Sequence, residues 1–196
     1  MKRFLALMSL LLAGFYLSAC DQKPQAFQNT DITGINYTQQ FTLTDHTGKV
    51  RTLTDFKGKA VVLFFGFTQC PDVCPSTMAE MAGVMKTLGS QAEQVQVLFI
   101  TIDPERDTKE LLSQYVPAFD PRFIGLFGDK AATENAAKAF GIIYQKVLGK
   151  TPGSYSMDHS AGSFIVDPQG RLRLMVRNGK TADSIVHDLK ILLHPA

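Results

Sequence analysis

The stretch AVVLFFGFTQCPDVCPSTMAEMAGVMKTL, residues 60–88, contains the transition on which the fold turns. Its first eight residues form a nearly continuous apolar run, rich in β-branched and aromatic side chains. That is the pattern of a central strand buried on both faces. Further on, Met78, Met81, Val84, Met85 and Leu88 recur at spacings of three and four, which predicts a helix over 76–89. Methionines can bind copper, but at this spacing they fit core packing. Two thiols, Cys70 and Cys74, lie between the strand and the helix.

The placement of Cys74 at a helix start has chemical consequences. Pro75 suits a first helical position, because its missing N–H would have no partner there. Free amide donors and the helix dipole favour negative charge at this end, so a lowered thiol pKa is expected. Thiolate is both metal ligand and redox nucleophile, so placement alone leaves the chemistry open. Pro71, Asp72 and Val73 separate the cysteines, one residue more than dithiol oxidoreductases commonly carry. The longer loop can still close a disulfide, and it also lets two sulfurs spread around an ion. As a plain crosslink, so short a loop would contribute only about 2 kcal/mol. A chain of 196 residues can build a sizeable core without it.

Apolar residues make up 45% and charged residues 19%, ordinary values for a globular protein. The opening MKRFLALMSLLLAGFYLSAC reads as a signal peptide over residues 1–19: two cations, a short apolar run, then small residues. Leu17-Ser18-Ala19-Cys20 resembles a bacterial lipobox, which makes Cys20 the expected site of lipid attachment. Asp21 resembles the mark that keeps a lipoprotein on the inner membrane. Residues 20–30 are expected to be a lipidated tether and 31–196 the folded domain. Cleavage would remove Lys2 and Arg3 from the 20 basic residues, leaving 18 against 18 acidic ones. With no net positive field, nucleic acid is not an expected partner. Loss of Cys20 to lipid would leave Cys70 and Cys74 as the thiols of an exported domain.

Alternation around Gly48 predicts an N-terminal β-hairpin in FTLTDHTGKVRTLTDFKGK, residues 41–59. VQVLFITID (95–103) predicts a second buried strand, with a short one in FIGLFG and two more in GSFIVD and RLRLMVR. Helices are predicted in TKELLSQYV, capped by Asp107 or Thr108, in KAATENAAKAFGI, and over about 181–193. Strands alternating with helices indicate an α/β fold with a mixed central sheet and helices on both faces.

Two thiolates do not complete a metal site, so a third ligand is required. His46 falls in a predicted turn, and His187 and His194 fall on the terminal helix, all as expected surface residues. His159, in SYSMDHSAGSFIVD, stands in an irregular loop just before a strand, as a ligand or as an ordinary loop histidine. Two sulfurs and an imidazole suit Cu(I) and tolerate Cu(II). Structural zinc ordinarily takes a fourth protein ligand, for which the sequence offers no obvious candidate.

FFGFTQCPDVCP, TIDPERDT and DHSAGSFIVDPQG, in this order and spacing, resemble the Sco/SenC copper-chaperone family. The resemblance runs from about residue 31 to the C-terminus. It implies a thioredoxin-like fold, a membrane tether, and copper held by Cys70, Cys74 and His159. Asp103 matches a family aspartate near the site, as an outer partner or a structural carboxylate. The implied function is delivery of copper to the copper A centre of cytochrome c oxidase. The expected partners are the copper-bearing oxidase subunit and other copper carriers. The implied location is the bacterial inner membrane, with the domain facing the periplasm or cell exterior. The alternative is a thiol–disulfide reductase that keeps the oxidase's copper-site cysteines reduced, with Cys70 and Cys74 as its redox pair. Thioredoxin-type enzymes place a proline opposite their cysteines. MDHSAGS has a histidine loop there instead.

Overall fold

The computed structural model describes residues 26–160 and 162–194. The expected signal peptide, Cys20 and the first part of the tether lie outside them. The strand at the sheet's centre is β4 (Ala60–Gly66), every residue of which is buried. The others are β1 (Thr30–Asp31), β2 (Thr42–Asp45), β3 (Val50–Thr52), β5 (Val95–Thr101), β6 (Ile124–Phe127), β9 (Ser163–Val166) and β10 (Leu172–Val176). They form one sheet in the order β1-β10-β9-β4-β5-β6-β2-β3. β4, β5 and β6 run parallel, while β9 runs antiparallel to β4. The sheet is therefore mixed, as the alternation of elements predicted.

Among the described residues, four α-helices accompany it: α1 (Val73–Leu88), α2 (Lys109–Tyr115), α3 (Lys130–Ala139) and α4 (Ala182–Leu193). Register places Phe64, Phe99 and Gly125 on one face. There Phe99 meets Tyr115 of α2, and a side chain on Gly125 would meet Val116. The opposite face carries Phe65 and Phe164, which pack on Phe140 at the end of α3. Helices thus cover both faces, which is why the central strands read as unbroken apolar runs. The methionine stripe of α1 is core: Met78, Met81 and Met85 are each no more than 1% exposed.

The N-terminal hairpin forms as its alternation predicts, with Gly48 at φ 98° in the turn. Three details differ from expectation. Helix α1 begins at Val73, so Pro75 is its third residue. Proline still fits, because the first four amides of a helix lack partners. The polar stretch before residue 31 is already docked at Gln28 and Asn29, whose amides donate to buried Asp188 at 2.8 Å. Finally, the segment around His159 is not an irregular loop. It is one arm of a separate hairpin, β7 (Tyr144–Leu148) with β8 (Tyr155–His159). Most of the side chains of β7 are exposed, so the strand has no buried face to write alternation into its sequence.

Candidate metal centre

The cysteine loop leaves the C-terminal end of β4, where open α/β sheets ordinarily place ligands. Because β9 runs antiparallel to β4 with Ser163 opposite Phe64, the start of β9 is level with that end. His159, four residues upstream of Ser163, is thereby returned to the cysteine loop. Its ring stands edge-on to Phe64 and to Phe67, with centroids 6.5 and 6.3 Å apart. Phe67 in turn accepts the Cys70 amide through its carbonyl at 3.2 Å.

Both cysteines are free thiols. Cys74 is fully buried in the first turn of α1, while Cys70 is half-buried beside it. The Cys74 amide donates to the Cys70 sulfur at 3.4 Å, so an unpaired helix N–H is directed at a thiol. The lowered thiol pKa expected at this helix end does not hold for Cys74. Burial pushes its thiol up, reinforced by the neighbouring Cys70, and outweighs the lowering effect of the Phe67 backbone hydrogen bond. A soft cation that displaces both thiol protons relieves that cost, which suits these sulfurs to metal.

The imidazole is prepared in a complementary way. His159 Nδ1 lies 3.0 Å from the carbonyl oxygen of Ser160. A carbonyl can only accept, so Nδ1 carries the proton and the lone pair sits on Nε2, free to bind metal. Two thiols and one imidazole nitrogen form a donor set that fits Cu(I). Among the described residues, no three His, Cys, Asp or Glu side chains are yet close enough to share one ion. Cys70, Cys74 and His159 share an end of the sheet without forming a closed trio.

Asp103 does not touch either sulfur. Its carboxylate accepts Arg106 Nε at 2.5 Å and the Tyr155 hydroxyl at 2.8 Å. Arg106 Nη1 donates to Gln69 Oε1 at 3.0 Å and to the Tyr155 carbonyl at 2.9 Å. Asp107, read from sequence as a possible helix cap, instead accepts from Thr68 and Thr101, and Thr108 caps α2. Sequence reasoning also passed over Tyr115. Its buried hydroxyl has no partner among the described residues. Burial, then the charges of Cys74 and Cys70, push its phenol up. Of the remaining histidines, His46 accepts the Gly125 amide at 3.0 Å beside β6, and His194, at the C-terminal end of α4, pairs with Gln91 beyond the far end of α1.

A thioredoxin-like sheet with paired thiols at a helix start and an imidazole hairpin above them defines a thiol-based metal or redox protein. The chain belongs to the SCO1/SenC family, whose model matches residues 29–194. It is 34% identical over 152 residues to the mitochondrial SCO2 homolog of Bos taurus, covering 76% of this chain and 57% of that protein. The chain thus spans little more than half the length of that relative. Bradyrhizobium japonicum ScoI, solved with copper bound, is 38% identical, with a TM-score of 0.73 over 79% of this chain and 98% of that one. Apo Sco1 of Thermus thermophilus is 40% identical, with a TM-score of 0.74 over 86% and 100%.

Proposed function

We propose that this protein is a membrane-tethered copper carrier that binds one copper ion through Cys70, Cys74 and His159. It passes the ion to the copper A centre of cytochrome c oxidase, the role implied by its family. The observation that supports this most is the return of His159, by the antiparallel β9, to the end of β4 that bears both free thiols. The copper-bound Bradyrhizobium relative supports the choice of metal. Transfer is ligand exchange: incoming thiolates replace Cys70, Cys74 and the imidazole one by one, and no free ion enters water. Lipid on Cys20 would hold the domain at the inner membrane, within reach of the oxidase subunit. The test is copper titration of the full chain, wild type against Cys70→Ser, Cys74→Ser and His159→Ala. Each substitution is expected to weaken binding severely. Wild-type affinity in His159→Ala would contradict the three-ligand site.

A second reading rests on the contrast between half-buried Cys70 and fully buried Cys74. Cys70 thiolate would attack a target disulfide, and Cys74 would then displace the target sulfur. The target gains two electrons and this chain ends as a disulfide. Such a reductase would keep its exchange rate in His159→Ala, which separates it from a carrier.

A further inference from the structure

We propose that Arg106 is the clasp that sets the separation between the two halves of the copper site. It acts as a positioning residue that holds the His159 hairpin over the cysteine loop. The inference rests on the copper reading above. The hairpin β7–β8 shares no ladder with the main sheet, so its position depends on the burial of Met157 and on side-chain ties. Three of these ties run to residues 103–106. Arg106 Nη1 bonds the Tyr155 carbonyl, the Tyr155 hydroxyl bonds Asp103, and Lys146 pairs with Glu105 at 2.6 Å. The last is exposed and contributes little.

Arg106 hydrogen-bonds to both halves of the site. One of its nitrogens bonds Gln69, the residue before Cys70, and Tyr155, on the strand that ends in His159. Its guanidinium carbon lies 3.6 Å from the centroid of the Tyr155 ring and 5.8 Å from that of Phe67, the ring against which His159 stands. Asp103, 3% exposed, fixes the guanidinium plane through Nε. A planar fork with fixed donors suits this bridging, whereas an ammonium would act as a point charge. Arg106 Nη2 is buried with no partner among the described residues. An orphaned charged donor at an unclosed metal site is a bond in reserve for the closed arrangement.

The test is a Cu(I) competition titration against a chromophoric chelator, using the full chain. Arg106→Ala is expected to bind copper about 10–100-fold more weakly, the usual cost of losing an outer partner of a ligand. Arg106→Lys should lose as much, because geometry rather than charge is what acts. In a His159→Ala background, Arg106→Ala should cause no further loss. A milder variant, Tyr155→Phe, keeps the carbonyl tie. It should show a smaller loss that also vanishes in the His159→Ala background. In metal-free protein, Arg106→Ala should shift the His159 imidazole NMR signals away from the ring currents of Phe64 and Phe67. Unchanged affinity in Arg106→Ala, full rescue by lysine, or an equal loss with and without His159 would overturn the clasp. Undiminished copper binding by His159→Ala alone would instead remove the three-ligand reading beneath it.

Discussion

Asp107 holds Thr68 from two sides, accepting its amide at 3.0 Å and its hydroxyl at 2.6 Å across 39 residues of sequence. The same carboxylate accepts the Thr101 hydroxyl at the end of β5. The loop leading to Cys70 is thereby stitched to the neighbouring strand. Burial pushes the Asp107 carboxyl above its ordinary range, against the pull of these bonds. Asp107→Ala strands three donors and should cost about 3 kcal/mol in urea denaturation. Thr68→Val should cost roughly 1 kcal/mol. A negligible cost for Asp107→Ala would show that the stitch contributes nothing.

Gly66 is a glycine for reasons of space. A Cβ there would lie 2.8 Å from the Phe64 ring, 3.0 Å from Cys74 Sγ and 3.1 Å from the Phe99 ring. All three neighbours are fully buried and cannot yield cheaply. Gly66→Ala should therefore destabilise the fold by about 1–3 kcal/mol and displace the Cys74 sulfur. Weaker copper binding in a variant that still unfolds cooperatively would report that displacement. A wild-type melting temperature would refute it.

Acid should weaken the N-terminal hairpin first. Burial alone would raise the Asp45 carboxyl, but bonds from Thr47, Lys49 and Arg51 hold it far below the usual carboxylate range. A depressed folded pKa stabilises the protein above the unfolded value of about 3.9, and that stability is lost as pH falls below it. Asp45→Asn should thus destabilise the protein at pH 7, by roughly 2 kcal/mol, and progressively less below about pH 4. Urea denaturation of both proteins across that range measures the difference. A difference independent of pH would contradict the assignment.

The central strands, the methionine-rich helix and the N-terminal hairpin were all legible in the sequence, because each writes burial into its side-chain period. The hairpin carrying His159 was not. Most of β7 faces solvent, and the turn glycines and serines around it read equally well as loop. The cysteine pair was plain, but its electrostatics were not. Helix position suggested an acidic thiol, and only the packing shows that burial raises Cys74 instead. Asp103 was visible as part of a motif, yet its contacts with Arg106 and Tyr155 depend on a tertiary meeting of segments about 50 residues apart.

X-ray absorption at the copper edge of the Cu(I)-loaded full chain tests the central claim most directly. Two sulfur scatterers and one nitrogen are expected in wild type, with the nitrogen lost in His159→Ala and one sulfur lost in Cys74→Ser. A sulfur-only shell in wild type, or a spectrum that His159→Ala leaves unchanged, would contradict a site shared between the cysteine loop and the histidine hairpin.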